Sequence, residues 1–215
     1  MSTLNRLNLL DTVHGDIVFD QQQAADIGDA MGNGAASFNS PALPNVIPMG
    51  VSGNLGMVTL QPGISPASTG ADIVLAIIPV PAGVFDVANR ALEIAANGST
   101  ANNVNAKTIK VIVGATSPVV GQAVSGGTVI ASVTSSSGGG GWSLMAQISK
   151  YGVKGSNTQQ AIHSAAQSGS AIGALQGPSA LTINEAAATN IVVTGNAGTT
   201  TTDVVFNNLQ VVGFN

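Results

Sequence analysis

The amino-acid sequence predicts an all-β protein, a sandwich or barrel of antiparallel strands that follows an extended N-terminal arm. Three observations carry this reading. Short β-branched or alternating apolar runs recur from about residue 63 onward, turn residues separate them, and no convincing helical period intervenes. Ile73–Ile78 is a continuous apolar run closed by Pro79. Leu92–Ala95 alternates and runs into Asn97-Gly98, a pair that favours a tight hairpin turn. Thr108–Val113 alternates and ends at Gly114, with Lys107 expected to open that strand, its charge outward while Ile109 and Val111 face the core. Thr128–Val133, Trp142–Tyr151, Leu181–Asn184, Ile191–Thr194 and Val204–Phe214 bring the total to roughly eight strands. The last carries apolar residues on both faces, the pattern of an interior strand.

Parallel α/β architecture is disfavoured, because connections such as Asn97–Lys107 are too short and polar to be crossover helices. No fixed long repeat is visible, so a solenoid or propeller is excluded as well. Residues 1–62 read differently. Asp11, Asp16, Asp20, Asp26 and Asp29 crowd the first thirty positions, and a short helix fits between Asp20 and Met31, with Gly32 and Gly34 stopping it. Pro41, Pro44 and Pro48 then favour extended chain. The division expected is an arm over 1–62 and a sandwich over 63–215.

Composition narrows the function. Only 7% of residues are charged, against roughly 25% in an ordinary soluble domain. Hydrophobic residues make up 44% and aromatics 3%, so the apolar content is aliphatic, diluted by Gly, Ser, Thr and Asn. A surface of hydroxyls and amides is poorly protected against association, so a chain of this kind expects to be covered by partners. The six basic residues are scattered and the net charge is −4, which argues against nucleic acid. No run approaches the roughly 18 apolar residues of a spanning helix, and the first residues lack a basic and apolar leader pattern, so neither membrane nor secretion is expected. There are no cysteines, hence no disulfide and no thiolate metal site.

Three pieces of text then resemble a module common in tailed-bacteriophage virion proteins. They are Leu92–Val111, with its Ala101-Asn102-Asn103-Val104-Asn105-Ala106-Lys107 loop, Gly140–Ile148, and Ile191–Phe206 followed by Leu209–Phe214. The likeness covers residues 70–215 and leaves the arm outside it. The module is a jelly roll, found in head decoration (cement) proteins and in tail, fibre and adaptor proteins. It is typically trimeric and has no catalytic residues. The resemblance therefore implies a jelly-roll sandwich, a homotrimer, and a virion protein assembled in the bacterial host cytoplasm. Its partners would be copies of itself and the major capsid protein, with no enzyme activity and no cofactor. The leading expectation is a head decoration protein that clamps neighbouring capsid subunits. The alternative is a tail, fibre or adaptor module that binds a host receptor or another tail protein, and a capsid protein proper is the third. Contacts are expected from apolar arm residues Leu4, Leu7, Leu9, Leu10, Phe19, Phe38, Leu43, Val46 and Ile47, and from Phe206 of the body.

Candidate chemistry is thin. His14 between Asp11 and Asp16 fits no calcium-loop spacing. His163 sits among Ser, Gln and Ala with no acid or nucleophile nearby, and no Gly-x-Ser-x-Gly elbow or phosphate-binding glycine motif occurs. A glycosidase would need two facing carboxylates. Glu93 and Glu185 are the pair that folding would have to bring together, out of Asp72, Asp86, Glu93, Glu185 and Asp203. Asn97-Gly98-Ser99 has the glycosylation spacing but reads more simply as a turn. Asn102, Asn103 and Asn105 suit turn chemistry, with a contact surface as the other reading, and Trp142 suits the core.

Overall fold

The computed structural model describes residues 7–8, 18–19, 57–60, 63–135, 139–167 and 176–214. Among them are twelve strands: β1 (Leu7–Asn8), β2 (Val18–Phe19), β3 (Met57–Leu60), β4 (Ile73–Val80), β5 (Ala91–Thr100), β6 (Lys107–Val113), β7 (Thr128–Ser135), β8 (Gly140–Lys150), β9 (Gln159–Gln167), β10 (Gln176–Leu181), β11 (Thr189–Ala197) and β12 (Val204–Phe214). A 3-10 turn, Thr201–Asp203, precedes β12. β1 and β2 form a two-stranded ribbon with Leu7 opposite Phe19. The rest make a six-stranded sheet, ordered β10-β9-β8-β5-β12-β3, and a four-stranded sheet, ordered β4-β11-β6-β7. Every pairing is antiparallel, so the chain is an all-β antiparallel sandwich.

The core between the sheets follows from strand periodicity. In β8, Trp142, Leu144, Ala146 and Ile148 point inward while Ser143 and Met145 are exposed. Leu92, Ile94 and Ala96 of β5, Ile109 and Val111 of β6, and Phe206, Leu209 and Val211 of β12 fill the same layer. A second, smaller cluster lies on the far side of the four-stranded sheet, where Val74, Ile77, Ile112 and Val192 meet Ala115, Val120 and Val124. The loop 114–127 folds back over that face. Val74 N–H donates to Gln122 O (2.9 Å), Gly121 N–H to Val74 O (2.8 Å) and Val124 N–H to Asp72 O (2.9 Å), which also shields the β4 edge.

Several expectations change in this frame. β3 pairs with β12, Leu60 opposite Leu209, so the sandwich begins before residue 63. Asn97-Gly98 is no turn: it lies inside β5, opposite Ser143 and Trp142 of β8. Gly98 is required there by close approach, because a Cβ would stand 2.7 Å from the Trp142 ring and collide with the Val205 carbonyl oxygen. β4 runs through Pro79 to Val80, which an edge strand permits because its free side needs no N–H. The strand expected at Leu181–Asn184 instead ends at Leu181. β9 was not foreseen at all, its Gln, Ala and Ser text giving no apolar alternation. The expected helix between Asp20 and Met31 lies outside the described residues.

Candidate functional site

Charges are few enough to follow one by one, and the structure buries four of them, Lys107, Lys150, Glu185 and Asp203, in two nodes at opposite ends of the sandwich. The first node is at the end where β8 stops. Lys150 takes the next inward slot after Ile148, and its side chain is fully buried. Its ammonium is paired with Glu185 and also donates to Ser156 Oγ (2.7 Å) and Thr158 Oγ1 (3.3 Å). Glu185 accepts from Gln159 Nε2 (3.2 Å) and from Gly155 N–H (2.8 Å), and its own N–H donates to Asn157 Oδ1 (3.0 Å). Gln159 is itself buried and accepts from Ile183 N–H (2.7 Å). Buried charge is costly unless paired and fully hydrogen-bonded, and here both partners are. The node ties the loops 151–158 and 182–188 together. The loop 81–90 joins them, since Gly83 N–H donates to Glu185 O (2.8 Å) and Asp86 pairs with Lys154 (3.0 Å), while Arg90 Nη1 braces that loop on Gly83 O (3.1 Å) and Val84 O (3.0 Å).

The second node explains the Asn-rich loop. Asp203, 1% exposed, accepts from Asn103 Nδ2 (2.6 Å) and Asn105 Nδ2 (2.8 Å), and from Thr200 N–H (3.2 Å). Asn105 N–H donates to Asn103 Oδ1 (3.0 Å), a side-chain turn of the kind expected of Asn. Lys107 does open β6, but it is buried, donating to Asn103 O (3.0 Å). The expectation that its charge faces outward is overturned by parity: residues 107, 109 and 111 share one face of a strand.

Both carboxylates are held below their ordinary range. Burial raises Glu185, but the Lys150 ammonium and the Gly155 and Asn157 contacts outweigh it. Burial likewise raises Asp203, and the amides of Asn103 and Asn105, the Thr200 N–H and the Lys107 charge more than compensate. A carboxylate depressed in the folded state adds stability above its unfolded pKa, and that stability drains away as pH falls through the folded value. The ordinary values are 4.5 for Glu185 and 3.8 for Asp203. Thermal melts should therefore change little from neutrality down to about pH 5 and drop steeply below about pH 4. A melting temperature that rises on acidification through that range contradicts the paired-node account.

Neither node has the geometry of catalysis. Glu185 and Glu93 do not face each other: Glu185 is engaged with inward-facing Lys150, while Glu93 lies on the outer face of β5 between Gln147 and Val212. Asp72 pairs with Lys110 (2.7 Å) across the outer face of the four-stranded sheet. His163 sits on β9 opposite Ala146, half-buried. Among the described residues no cluster of His, Cys, Asp or Glu has the makings of a metal site, and no helix is long and apolar enough to cross a membrane. A cleft of about 330 Å³ beside Gly114, Gly127 and Leu181–Asn184 is lined by no titratable side chain.

The expected contact residues divide in two. Leu4, Leu9, Leu10, Phe38, Leu43, Val46 and Ile47 lie outside the described residues, as does His14 with Asp11 and Asp16. Leu7 and Phe19 are cross-strand partners in the β1–β2 ribbon. Phe206 is fully buried in its own chain, stacked on Trp142 with ring centroids 6.3 Å apart and 18° between planes. Its ring is a core group with no surface to offer a neighbour. Trp142 is core as expected, its indole N–H donating to Val205 O (3.2 Å).

What sequence reasoning missed is the nearly uncharged outer face of the larger sheet. Across all six strands of the larger sheet, Glu93 and Lys150 are the only Asp, Glu, Lys or Arg residues, and Lys150 points inward. The signal was there in the charge count, but which charges face out depends on register. No protein-family model matches the chain, and no curated protein resembles it at a significant level.

Proposed function

We propose that the chain is a structural virion protein, a head decoration protein that forms homotrimers and clamps neighbouring major capsid subunits. The observation that carries this reading is the outer face of the larger sheet, to which its strands bring Glu93 as their one charge, in a body where each described basic side chain is already engaged inside its own chain. Such a surface works by being covered, and its mechanism is burial rather than chemistry. Strand order supports the jelly-roll reading. With β3, β4, β5, β6, β7, β8, β11 and β12 numbered one to eight in chain order, the sheets pair as 1-8-3-6 and 2-7-4-5, with β9 and β10 added beyond the sixth. That nesting is the strand order expected of a jelly roll's double Greek key.

The test has two parts. The full chain should sediment as a trimer at micromolar concentration, and it should bind purified phage heads and raise the temperature at which they release DNA. A chain with residues 1–48 deleted should keep the folded sandwich, whose first paired strand is β3 at Met57, but lose most of its binding to heads. A stable monomer that leaves heads unaffected overturns the reading. Failure of the truncated chain to fold overturns the separation of arm from body.

One feature favours a tail or receptor-binding module as the second reading. Tyr151 is 55% exposed and Val153 77% exposed on a loop at one end of the sandwich, where an aromatic is placed to meet a ligand. Binding to host cells in place of heads, lost in Tyr151→Ala, would select it.

A further inference from the structure

The two sheets differ in width, and the mismatch leaves a strand-sized gap. β7 ends the four-stranded sheet and lies across β8 and β9, while β10 has β9 as its only substantial neighbour among the described residues. Among the described residues, the six-stranded sheet thus projects beyond β7 with no strand opposite it. Gly177, Pro178, Ser179 and Ala180 of β10 are exposed on both faces. The register places Ser179 beside inward-facing Ala161, so Ser179 and half-buried His163 look into the gap. One wall is the outer edge of β7, whose backbone N–H and C=O groups have no strand partner on that side among the described residues and whose Val129 is 50% exposed. An unpaired edge beside an uncovered floor is a template for one added strand.

We propose that this groove receives a strand from residues 30–56 of a second copy, which extends the four-stranded sheet over β9 and β10. The inference rests on the homo-oligomer reading above and names the contact that would close it. Three observations select this occupant. β7, β9 and β10 contain no Asp, Glu, Lys or Arg, and no such residue occurs from position 30 to position 71, whereas positions 1–29 hold six. A charged segment would strand its charges against this floor, and residues 30–56 bring none. The segment also leads directly into β3, the opposite edge of the same six-stranded sheet. Copies arranged side by side in a ring therefore bring the entry to β3 of one next to the β7–β10 groove of the next. That is a head-to-tail contact, which closes when the rotation completes a circle. Edge-to-edge pairing of two β7 strands is disfavoured, because the projecting β10 of each copy occupies the space the other would need.

Photo-crosslinking of the full chain tests this. Val129 or Ser179, both exposed, is replaced by p-benzoylphenylalanine, and ¹⁵N-labelled and unlabelled copies are mixed under conditions that allow exchange before irradiation. Both positions should crosslink to peptides within residues 30–56, with light and heavy isotopes joined in the same product and a ladder that stops at the trimer. Products joining only like isotopes, or joining segments outside 30–56, overturn strand exchange. Native mass spectrometry of the same sample separates the two levels. A trimer with crosslinks elsewhere keeps the assembly and loses this contact, whereas a monomer removes both.

Discussion

Glu185→Ala is expected to destabilise the fold by about 3–5 kcal/mol, because it leaves the buried Lys150 ammonium without its counter-charge. The arrangement explains the size. Lys150 cannot swing to water, since its side chain is wholly covered and the strand parity that aims it inward also aims Ile148 and Ala146. Ser156 and Thr158 still accept from it, but hydroxyl dipoles do not neutralise a charge. Gln159 and Gly155 lose an acceptor at the same time. Replacing both partners, as in Lys150→Met with Glu185→Leu, should recover most of the loss, because no charge then remains to be desolvated. Denaturant unfolding at fixed protomer concentration measures all three chains on one scale. A single-mutant loss below about 1 kcal/mol, the range of ordinary surface changes, would mean that water reaches the pair.

Phe206→Ala should cost about 3–5 kcal/mol, the usual range for a buried ring removed from a core. β12 has partners on both sides, β5 and β3, so the backbone cannot move in to close the cavity. The lost ring also uncovers Trp142, whose indole stacks on it. Trp142 is the only tryptophan, so its emission should shift to the red in the variant and report the vacated site directly. A loss below about 1 kcal/mol with unchanged emission would place the ring outside the core. Dissociation of a trimer without unfolding is not expected, because the ring has no exposed surface.

The two nodes also show where sequence reasoning stopped. The loop Asn102–Asn105 was legible as turn chemistry, and Asn105 N–H does close on Asn103 Oδ1. That the same asparagines would hold a carboxylate about a hundred positions away was not legible, because Asp203 reaches them only through sheet pairing. Lys150 and Glu185 stood in the sequence as two ordinary charges with β9 and β10 between them. Asn97-Gly98 misled for a related reason. Local preference favours a hairpin, but Trp142 of β8 packs where a side chain at 98 would stand, and tertiary packing overrides the turn.

By itself the sequence determined the all-β class, most of the strands, the inward facing of Ile109 and Val111, and the scarcity of charge. These are local properties, written in a period of two and in the positions of Gly, Pro and Asn. It also predicted an interior strand at Val204–Phe214, and β12 does pair along both edges, with β3 and β5. Only the tertiary structure decided which strands are neighbours, that β9 exists, that β3 belongs to the body, and that one sheet projects past the other. Register and sheet membership are set by contacts between residues far apart in the chain, and burial of the few charges follows from them. The nearly uncharged outer face of the larger sheet is therefore a product of folding, although every residue on it was visible in the sequence.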